Sequence, residues 1–215
     1  MALDLPADSF RRYDESPDPW FYTQPRFVEH IDDGAIAAVT QLYRELFPAG
    51  GRILDLMSSW VSHLPAEVDY RQVVGVGLNE EELAANPRLD AYLVQDLNAS
   101  PSLPFEDHSF DAAGICVSIQ YLTHPVEVLR ELGRVLRPGA PLAVTFSNRC
   151  FPTKAVAIWQ SLDDAGHAEL VTRYLQAARN WSDIRALDRT PPAFGSDPLF
   201  AIVGLRSASE ARATV

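Results

Sequence analysis

Six short apolar runs, separated by segments with helical spacing, are the feature that most constrains the fold of this chain. Each run is four to nine residues long: 52–57, 73–77, 92–95, 110–118, 140–146 and 199–205. Between the runs, apolar residues recur at intervals of three and four, which is typical of helices that pack on one face. Strands that alternate with helices predict an α/β fold with a mainly parallel sheet and right-handed crossovers.

Turn and capping residues mark where several helices begin and end. The apolar stripe over 31–46 predicts a helix that ends at Pro48. Asn79 and Glu82 match a capping box, which predicts a helix start directly after the second run. Pro125 suits the first turn of another helix. Because sheets of this kind bind ligands at the carboxyl ends of their strands, the residues just after each run are expected to form the site.

We predict three parts along the chain. Residues 1–48 form an N-terminal cap segment and helix, 49–206 the α/β domain, and 207–215 a frayed tail. The proline-rich start of the cap is too interrupted for a long helix. Its aromatic side chains are expected to pack against the domain; they are Trp20, Phe21, Tyr22 and Phe27.

Charge and cysteine content exclude several classes of function. The 215 residues carry 18 Lys and Arg against 29 Asp and Glu, a net charge of −11. Such a chain repels phosphate backbones and anionic headgroups, so we expect neither a nucleic acid nor a membrane partner. Two cysteines provide no disulfide framework, no metal-ligand spacing occurs, and neither a signal peptide nor a membrane span is evident. These features predict a cytoplasmic protein that acts on a small molecule.

Two motifs carry a family resemblance. The first is Leu-Pro-Phe-Glu-Asp-His-Ser-Phe-Asp at 103–111, and the second is Glu-Leu-Gly-Arg-Val-Leu-Arg-Pro-Gly at 131–139. In this order and context the chain resembles the class I S-adenosylmethionine-dependent methyltransferases of the small-molecule type, over roughly residues 50–205. The resemblance implies a single domain with the Rossmann-like, doubly wound methyltransferase fold, and S-adenosylmethionine as cofactor.

The chain departs from the family pattern in two places. The loop 57–63, which follows the first strand, contains no glycine, although this loop normally lets cofactor and backbone approach closely. Gly77 stands at the end of the second strand, where an acidic residue usually accepts bonds from both ribose hydroxyls. Asn79, Glu80 or Glu81 is the expected substitute for that acid, and the alternative is that Asn79 and Glu82 only cap the following helix.

The resemblance implies a set of cofactor contacts. The methionyl end of the cofactor would meet the first strand and its loop, at Asp55, Ser58 and Ser59. Ribose would meet Asn79 after the second strand, and adenine would meet Asp96 and Leu97 after the third. Val117, at the end of the fourth strand, would form the floor of the site. For Asp96 the alternative is that its side chain caps the turn that follows.

Other residues are candidates for the acceptor and for proton transfer. His63 follows the unusual loop and is the first choice for a catalytic base, its alternative being surface hydrogen bonding. Tyr22, Arg26 and Tyr121 are expected near the mouth of the site as substrate residues. Arg149 together with Lys154 is the candidate for binding an anionic substrate group. The alternative is that both are ordinary solvated charges.

Two functions are therefore predicted. The first is S-adenosylmethionine-dependent methylation of a small molecule. The alternative is a non-catalytic, methyltransferase-like protein that binds a ligand or partner through the altered pocket. The oligomeric state stays open.

Overall fold

The computed structural model describes residue 3 and residues 5–208, in which seven strands form one sheet. Their order across the sheet is β3-β2-β1-β4-β5-β7-β6. The strands from β1 to β5 are parallel to their neighbours, whereas β7 runs antiparallel to both β5 and β6. The predicted α/β fold with a mainly parallel sheet is confirmed. The strands are β1 Arg52–Leu56, β2 Gln72–Gly77, β3 Ala91–Val94, β4 Ala112–Cys116, β5 Pro141–Phe146, β6 Trp181–Asp188 and β7 Phe200–Arg206.

Side-chain caps or a proline stand at the start of several helices, two of them, at Asn79 and Pro125, as the sequence predicts. Asp32 accepts a bond from the backbone N–H of Ala35 at 2.8 Å, and Asn79 accepts one from Glu82 at 3.0 Å. Pro125 lies in the first turn of its helix, as expected. The helices are α1 Asp18–Phe21, α2 Asp33–Leu46, α3 Glu80–Ala85, α4 Pro125–Val135, α5 Ala157–Gln160 and α6 Asp164–Ala178, with a 3-10 helix at Ile119–Tyr121. In the described part of the chain, no helix is both long and apolar enough to span a bilayer.

Two apolar clusters hold the sheet between its helices. Successive side chains of a strand point to opposite faces, so Ile53 joins one cluster and Leu54 the other. The buried stripe of α2, with Val39 and Leu42, belongs to the cluster of Ile53. Helices α4 and α6 contribute to the cluster of Leu54. Burial on both faces explains why the central strands read as continuous apolar runs.

Outside the core, the structure contains one strand that was not predicted, differs from the prediction for the cap aromatics, and leaves most of the predicted tail undescribed. Strand β6 was not predicted, because an edge strand with mostly exposed side chains lacks an apolar run. Trp20 is 72% exposed, so its predicted packing against the domain is wrong, whereas Phe27 is 49% exposed but meets the ring of Trp60 edge to face at 6.3 Å. Most of the predicted frayed tail, residues 209–215, lies outside the described residues.

The two family motifs are joined by hydrogen bonds and ion pairs of Arg134 on α4, a set of contacts that we call the clamp. The guanidinium of Arg134 binds the carboxylates of Glu131 at 2.5 Å and Asp107 at 2.6 Å. It also donates to the backbone oxygens of Phe105 and Leu103 at 2.9 and 3.0 Å. Through these bonds, α4 is fastened to the loop that leads into β4. The segment 103–139 therefore secures the fold.

Candidate functional site

A cavity of about 360 Å³ lies between the carboxyl ends of β1 to β5 and the N-terminal segment, residues 12–31. Its position is the one expected for a ligand site in a parallel α/β sheet, and its volume is typical of small-molecule sites. Every site residue predicted from the sequence lines it: Tyr22, Arg26, Asp55, Ser58, Ser59, His63, Asn79, Asp96, Leu97, Val117, Tyr121 and Arg149. Among the described residues, no group of His, Cys, Asp and Glu side chains is arranged to hold a metal ion.

The loop 57–63 makes its sharp turns without glycine. Met57 and His63 adopt the left-handed region, with φ of 60° and 51°. Ser58 donates its backbone N–H to the carbonyl of Val76 at 2.8 Å and its hydroxyl to Asp55 at 2.6 Å. Non-glycine residues rarely adopt positive φ, and the conformation costs about 1 kcal/mol or more at each position. The hydrogen bonds of Ser58 thus hold the loop close to the ends of β1 and β2.

Gly77 is explained by this close approach. A Cβ atom built on Gly77 overlaps the carbonyl oxygen of Ser58. No side chain fits at position 77 while the loop keeps its path, so an acid there is excluded. The two departures from the family pattern are therefore one structural feature: the loop after β1 occupies the space at the end of β2.

Asn79 lines the cavity, but its side chain is fully engaged. Its oxygen caps α3, and its amide donates to the backbone oxygen of Tyr22 at 2.8 Å. The capping alternative is thus realised, together with an anchor for the N-terminal segment. Glu82, which was expected only to complete the capping box, is 7% exposed and reaches the cavity. Its carboxylate accepts from the backbone N–H of Arg26 at 2.7 Å and from the hydroxyl of Ser59 at 2.5 Å.

Asp96 and Leu97 form the wall of the cavity after β3. One carboxylate oxygen, Oδ1 of Asp96, accepts from the backbone N–H groups of Asn98 and Ala99 at 2.9 and 3.3 Å. The predicted turn cap is therefore present, and it leaves the second oxygen, Oδ2, outside these bonds. Leu97 is 5% exposed and belongs to the core cluster as well as to the cavity wall.

The residues after β4 combine strain and burial. Val117 has a φ of 42°, which is unusual for a β-branched side chain. The hydroxyl of Ser118 is buried and has no hydrogen-bond partner among the described residues. Tyr121 accepts the backbone N–H of Phe151 at 2.8 Å, and burial raises the pKa of its hydroxyl to about 12. Backbone strain of this kind is frequent at functional sites, where the surrounding structure holds it in place.

A buried carboxylate anchors the N-terminal segment beside the cavity. Asp18 is 4% exposed and binds Arg12 at 2.6 Å, Asn98 at 2.8 Å and Lys154 at 3.3 Å. Lys154 is completely buried and also donates to the backbone oxygen of Ser16 at 2.7 Å. The sequence suggested Lys154 as the partner of Arg149 for an anion, and this pairing is wrong because Lys154 holds the N-terminal segment instead.

Arg26 and Arg149 are the two arginines that line the cavity, and their surroundings differ. Arg149 is bound to Asp197 at 2.8 Å, and its side chain is 62% exposed. Arg26 lies over the aromatic rings of Phe21, Tyr22 and Phe151, at 4.5, 5.6 and 5.4 Å from their centroids.

Two titratable groups in the cavity are shifted in opposite senses. Burial raises the pKa of Asp55 to about 6, although the bond from Ser58 opposes this effect. Burial lowers the pKa of His63 to about 4, with a smaller contribution from His30. Burial also lowers the pKa of His30, against the opposing influence of Glu82. At pH 7 the two imidazoles are therefore neutral, and burial disfavours the cation that each would become on accepting a proton.

The comparisons with known proteins agree with this architecture. Residues 57–144, about two fifths of the chain, match a family model described as a methyltransferase domain. The ubiquinone/menaquinone biosynthesis C-methyltransferase UbiE of Bartonella quintana is 45% identical over 60 residues, 26% of this chain and 23% of that protein. The methyltransferase GfsG of Streptomyces halstedii is 26% identical over 137 residues, 58% of this chain and 48% of that protein. The chain thus spans about a quarter and about half of these two curated relatives.

A solved structure extends the likeness to the whole domain. The crystal structure of the [4+2]-cyclase SpnF matches with a TM-score of 0.62 at 18% identity, over 88% of this chain and 92% of that one. At this identity the match shows the fold alone, which is the Rossmann-like methyltransferase fold. The matched domain, the fold and the motifs together support the predicted resemblance to the class I S-adenosylmethionine-dependent methyltransferases. S-adenosylmethionine is the cofactor of that family.

Proposed function

We propose that this chain binds S-adenosylmethionine in the cavity and methylates a small molecule there. The observation that carries the proposal is the cavity itself, in which the carboxyl ends of five parallel strands meet a covering segment. The acceptor enters a space of about 360 Å³, which suits a small molecule and not a polymer. The acidic charge of the chain likewise favours a small molecule over nucleic acid.

The residues present fit the cofactor when one role is reassigned. Asp96 and Leu97 hold adenine, and Asp55, Ser58 and Ser59 meet the methionyl end. Position 77 has no room for the ribose acid, and the side chain of Asn79 is already engaged.

We assign the ribose hydroxyls to Glu82, whose buried carboxylate reaches the same cavity. Each of its oxygens accepts one bond from the protein, and a carboxylate oxygen has room for a second.

When bound, the cofactor supplies an electrophilic methyl group. The chain itself orients the acceptor, excludes water with the N-terminal segment, and takes up the proton that the acceptor loses. His63 is our first choice for that proton because it lines the cavity in its neutral form, although its lowered pKa makes it a weak base. Positioning of the two reactants supplies much of the rate in transfers of this type.

The first test is calorimetric titration of the protein with S-adenosylmethionine and S-adenosylhomocysteine. We expect micromolar binding of both, and Asp96→Ala should weaken it at least tenfold. Glu82→Gln should weaken S-adenosylhomocysteine about tenfold and its 2′,3′-dideoxyribose analogue hardly at all, because the analogue lacks the hydroxyls. Glu81→Gln is the matched control, since Glu81 is exposed on the same helix and does not line the cavity. Equal losses for both ligands would contradict the ribose role of Glu82.

The second candidate is a methyltransferase-like protein that binds another ligand or a partner in this cavity. The glycine-free loop pressed against Gly77 favours it, because this loop alters the region where the family binds its cofactor. That a protein with this fold is described as a [4+2]-cyclase also shows that the fold is not restricted to methyl transfer. Failure of folded protein to bind either cofactor form at millimolar concentration would favour this candidate.

A further inference from the structure

The guanidinium of Arg26 is a partly buried positive charge without a carboxylate partner among the described residues. Its Nη1 atom is buried and makes no hydrogen bond within the described residues, while Nη2 donates to the backbone oxygen of Phe21 at 2.9 Å. None of the ion pairs of the described residues includes Arg26, whereas Arg149 is paired with Asp197. A buried donor of a charged group that makes no hydrogen bond is costly unless a ligand binds it.

The surroundings of Arg26 are aromatic. The rings of Phe21, Tyr22 and Phe151 lie beneath its guanidinium, and the latter two pack edge to face at 6.4 Å. His30 also meets Phe151 edge to face, at 5.3 Å. Flat aromatic surfaces of this kind favour a planar, apolar ligand through offset or edge-to-face contacts.

The other charges around Arg26 do not replace the missing partner. Glu82 accepts the backbone N–H of Arg26, not its guanidinium, and is shared with Ser59. Asp18 is already surrounded by Arg12, Lys154 and Asn98. In a chain with a net charge of −11, a local cation is needed if an anion is to enter at all.

We propose that the acceptor is an aromatic molecule with an anionic substituent, which is held by Arg26 and packs against the rings of Tyr22, Tyr121 and Phe151. This inference rests on the proposed function, because it names the substrate class of the same cavity. The guanidinium offers two donors to a carboxylate, and the aromatic walls select a planar body. Arg26 is thus a substrate-binding residue that determines specificity.

The test uses 2-naphthoate as probe, titrated into the full chain with and without saturating S-adenosylhomocysteine. Two controls separate charge from shape: 2-naphthamide has the ring system without the charge, and cyclohexanecarboxylate has the charge without the aromatic ring. We expect 2-naphthoate to bind at least tenfold more tightly than either control. Absence of that preference would overturn the proposal, whatever the result with S-adenosylhomocysteine.

Variants connect the probe to the residue. Arg26→Gln should lose at least tenfold in 2-naphthoate affinity and leave 2-naphthamide unchanged, and Arg26→Lys should recover part of the loss. Arg149→Gln tests the competing arginine: if it loses the probe and Arg26→Gln does not, the proposal is wrong. Arg11→Gln, at an exposed position, controls for net charge. If Arg26→Gln does not fold, the proposal is tested by Arg26→Lys and by the preference of the wild-type chain for 2-naphthoate over its two controls.

The carboxylate of the cofactor's own methionyl group is the competing source of the anion. Comparison of S-adenosylhomocysteine with 5′-methylthioadenosine, which lacks the amino acid, distinguishes the two sources. If Arg26→Gln weakens only S-adenosylhomocysteine and leaves 2-naphthoate unchanged, Arg26 belongs to the cofactor and the proposal falls. If S-adenosylhomocysteine does not bind but 2-naphthoate binds through Arg26, the anion site stands and the methyltransferase proposal fails.

Discussion

The segment 103–139 and the loop 57–63 contribute to the molecule in different ways. The segment carries the two motifs most typical of the family, and its polar side chains fasten α4 to the loop before β4. The loop departs most from the family pattern, and its side chains line the cavity. The most recognisable residues therefore stabilise the fold, whereas the loop that departs from the family pattern lines the cavity.

This difference shows what a family resemblance can establish. A motif whose side chains make structural contacts stabilises the fold, so it is informative about the fold. A loop at the carboxyl ends of the strands can change without loss of the fold, and it decides which ligand binds. Variants in the two regions should accordingly separate stability from binding.

Gly77→Asp restores the acid of the family pattern and should have the largest effect. The new side chain overlaps the carbonyl oxygen of Ser58, so the loop must leave its position, and we expect a loss of about 4 kcal/mol in stability. Binding of S-adenosylhomocysteine should fall with it. Chemical denaturation and calorimetry measure the two effects. Gly204→Ala is the control, because a Cβ there meets only ordinary contacts from 3.6 Å outward. Tighter binding in Gly77→Asp would refute the close approach.

His63→Asn should remove an acid-dependent loss of stability. The folded protein holds the pKa of His63 at about 4, below its ordinary value of 6.5, so the unfolded chain binds a proton more readily. In the wild type this contribution destabilises the protein by about 3 kcal/mol as the pH falls from 6.5 to 4. Asparagine tolerates the positive φ of this position. Denaturation curves between pH 7.5 and 4 should show a shallower acid decline in the variant, and identical slopes would contradict the burial of a neutral imidazole.

Asp55→Asn should stabilise the protein at neutral pH, whereas the effect of His63→Asn appears at acid pH. Burial raises the pKa of Asp55 to about 6 from 3.8, so the charged carboxylate above pH 6 is a cost that is relieved as the pH falls toward 3.8. We expect about 2 kcal/mol more stability at pH 7.5, after the weakened bond from Ser58 is counted, and no gain below pH 4. A gain in stability with a loss of S-adenosylhomocysteine binding would identify Asp55 as a residue retained for binding.

Arg134→Ala should destabilise the fold and leave binding unchanged. Its side chain is 34% exposed and binds two carboxylates and two backbone oxygens, so we expect a loss of about 2 kcal/mol. The affinity for S-adenosylhomocysteine should stay within twofold under conditions where the variant is folded. Arg130→Ala, exposed on the same helix, should change stability by less than about 0.5 kcal/mol. A large change in affinity for Arg134→Ala would contradict the proposal that the contacts of Arg134 stabilise the fold without affecting binding in the cavity.

Much of the fold was predictable because its signals are local. The spacing over 31–46 and the cap at Asn79 depend on residues within one or two turns of each other, and both helices form as expected. Strand β6 gave no such signal, since an edge strand buries few side chains.

The placement of the candidate residues at the carboxyl ends of the strands was likewise predictable, because chain topology alone brings those ends together. Their roles stay predictions until binding is measured.

The sequence by itself determined the α/β architecture and the resemblance to a methyltransferase family, and it predicted the region of the site, because these follow from periodicity, motifs and strand order. Only the tertiary structure decided how that site is built. It shows that Ser58 excludes a side chain at position 77, that Glu82 turns its carboxylate into the cavity, and that Lys154 is buried away from Arg149. Such facts depend on atoms brought together from distant parts of the chain, and no local pattern of residues encodes a distance between them.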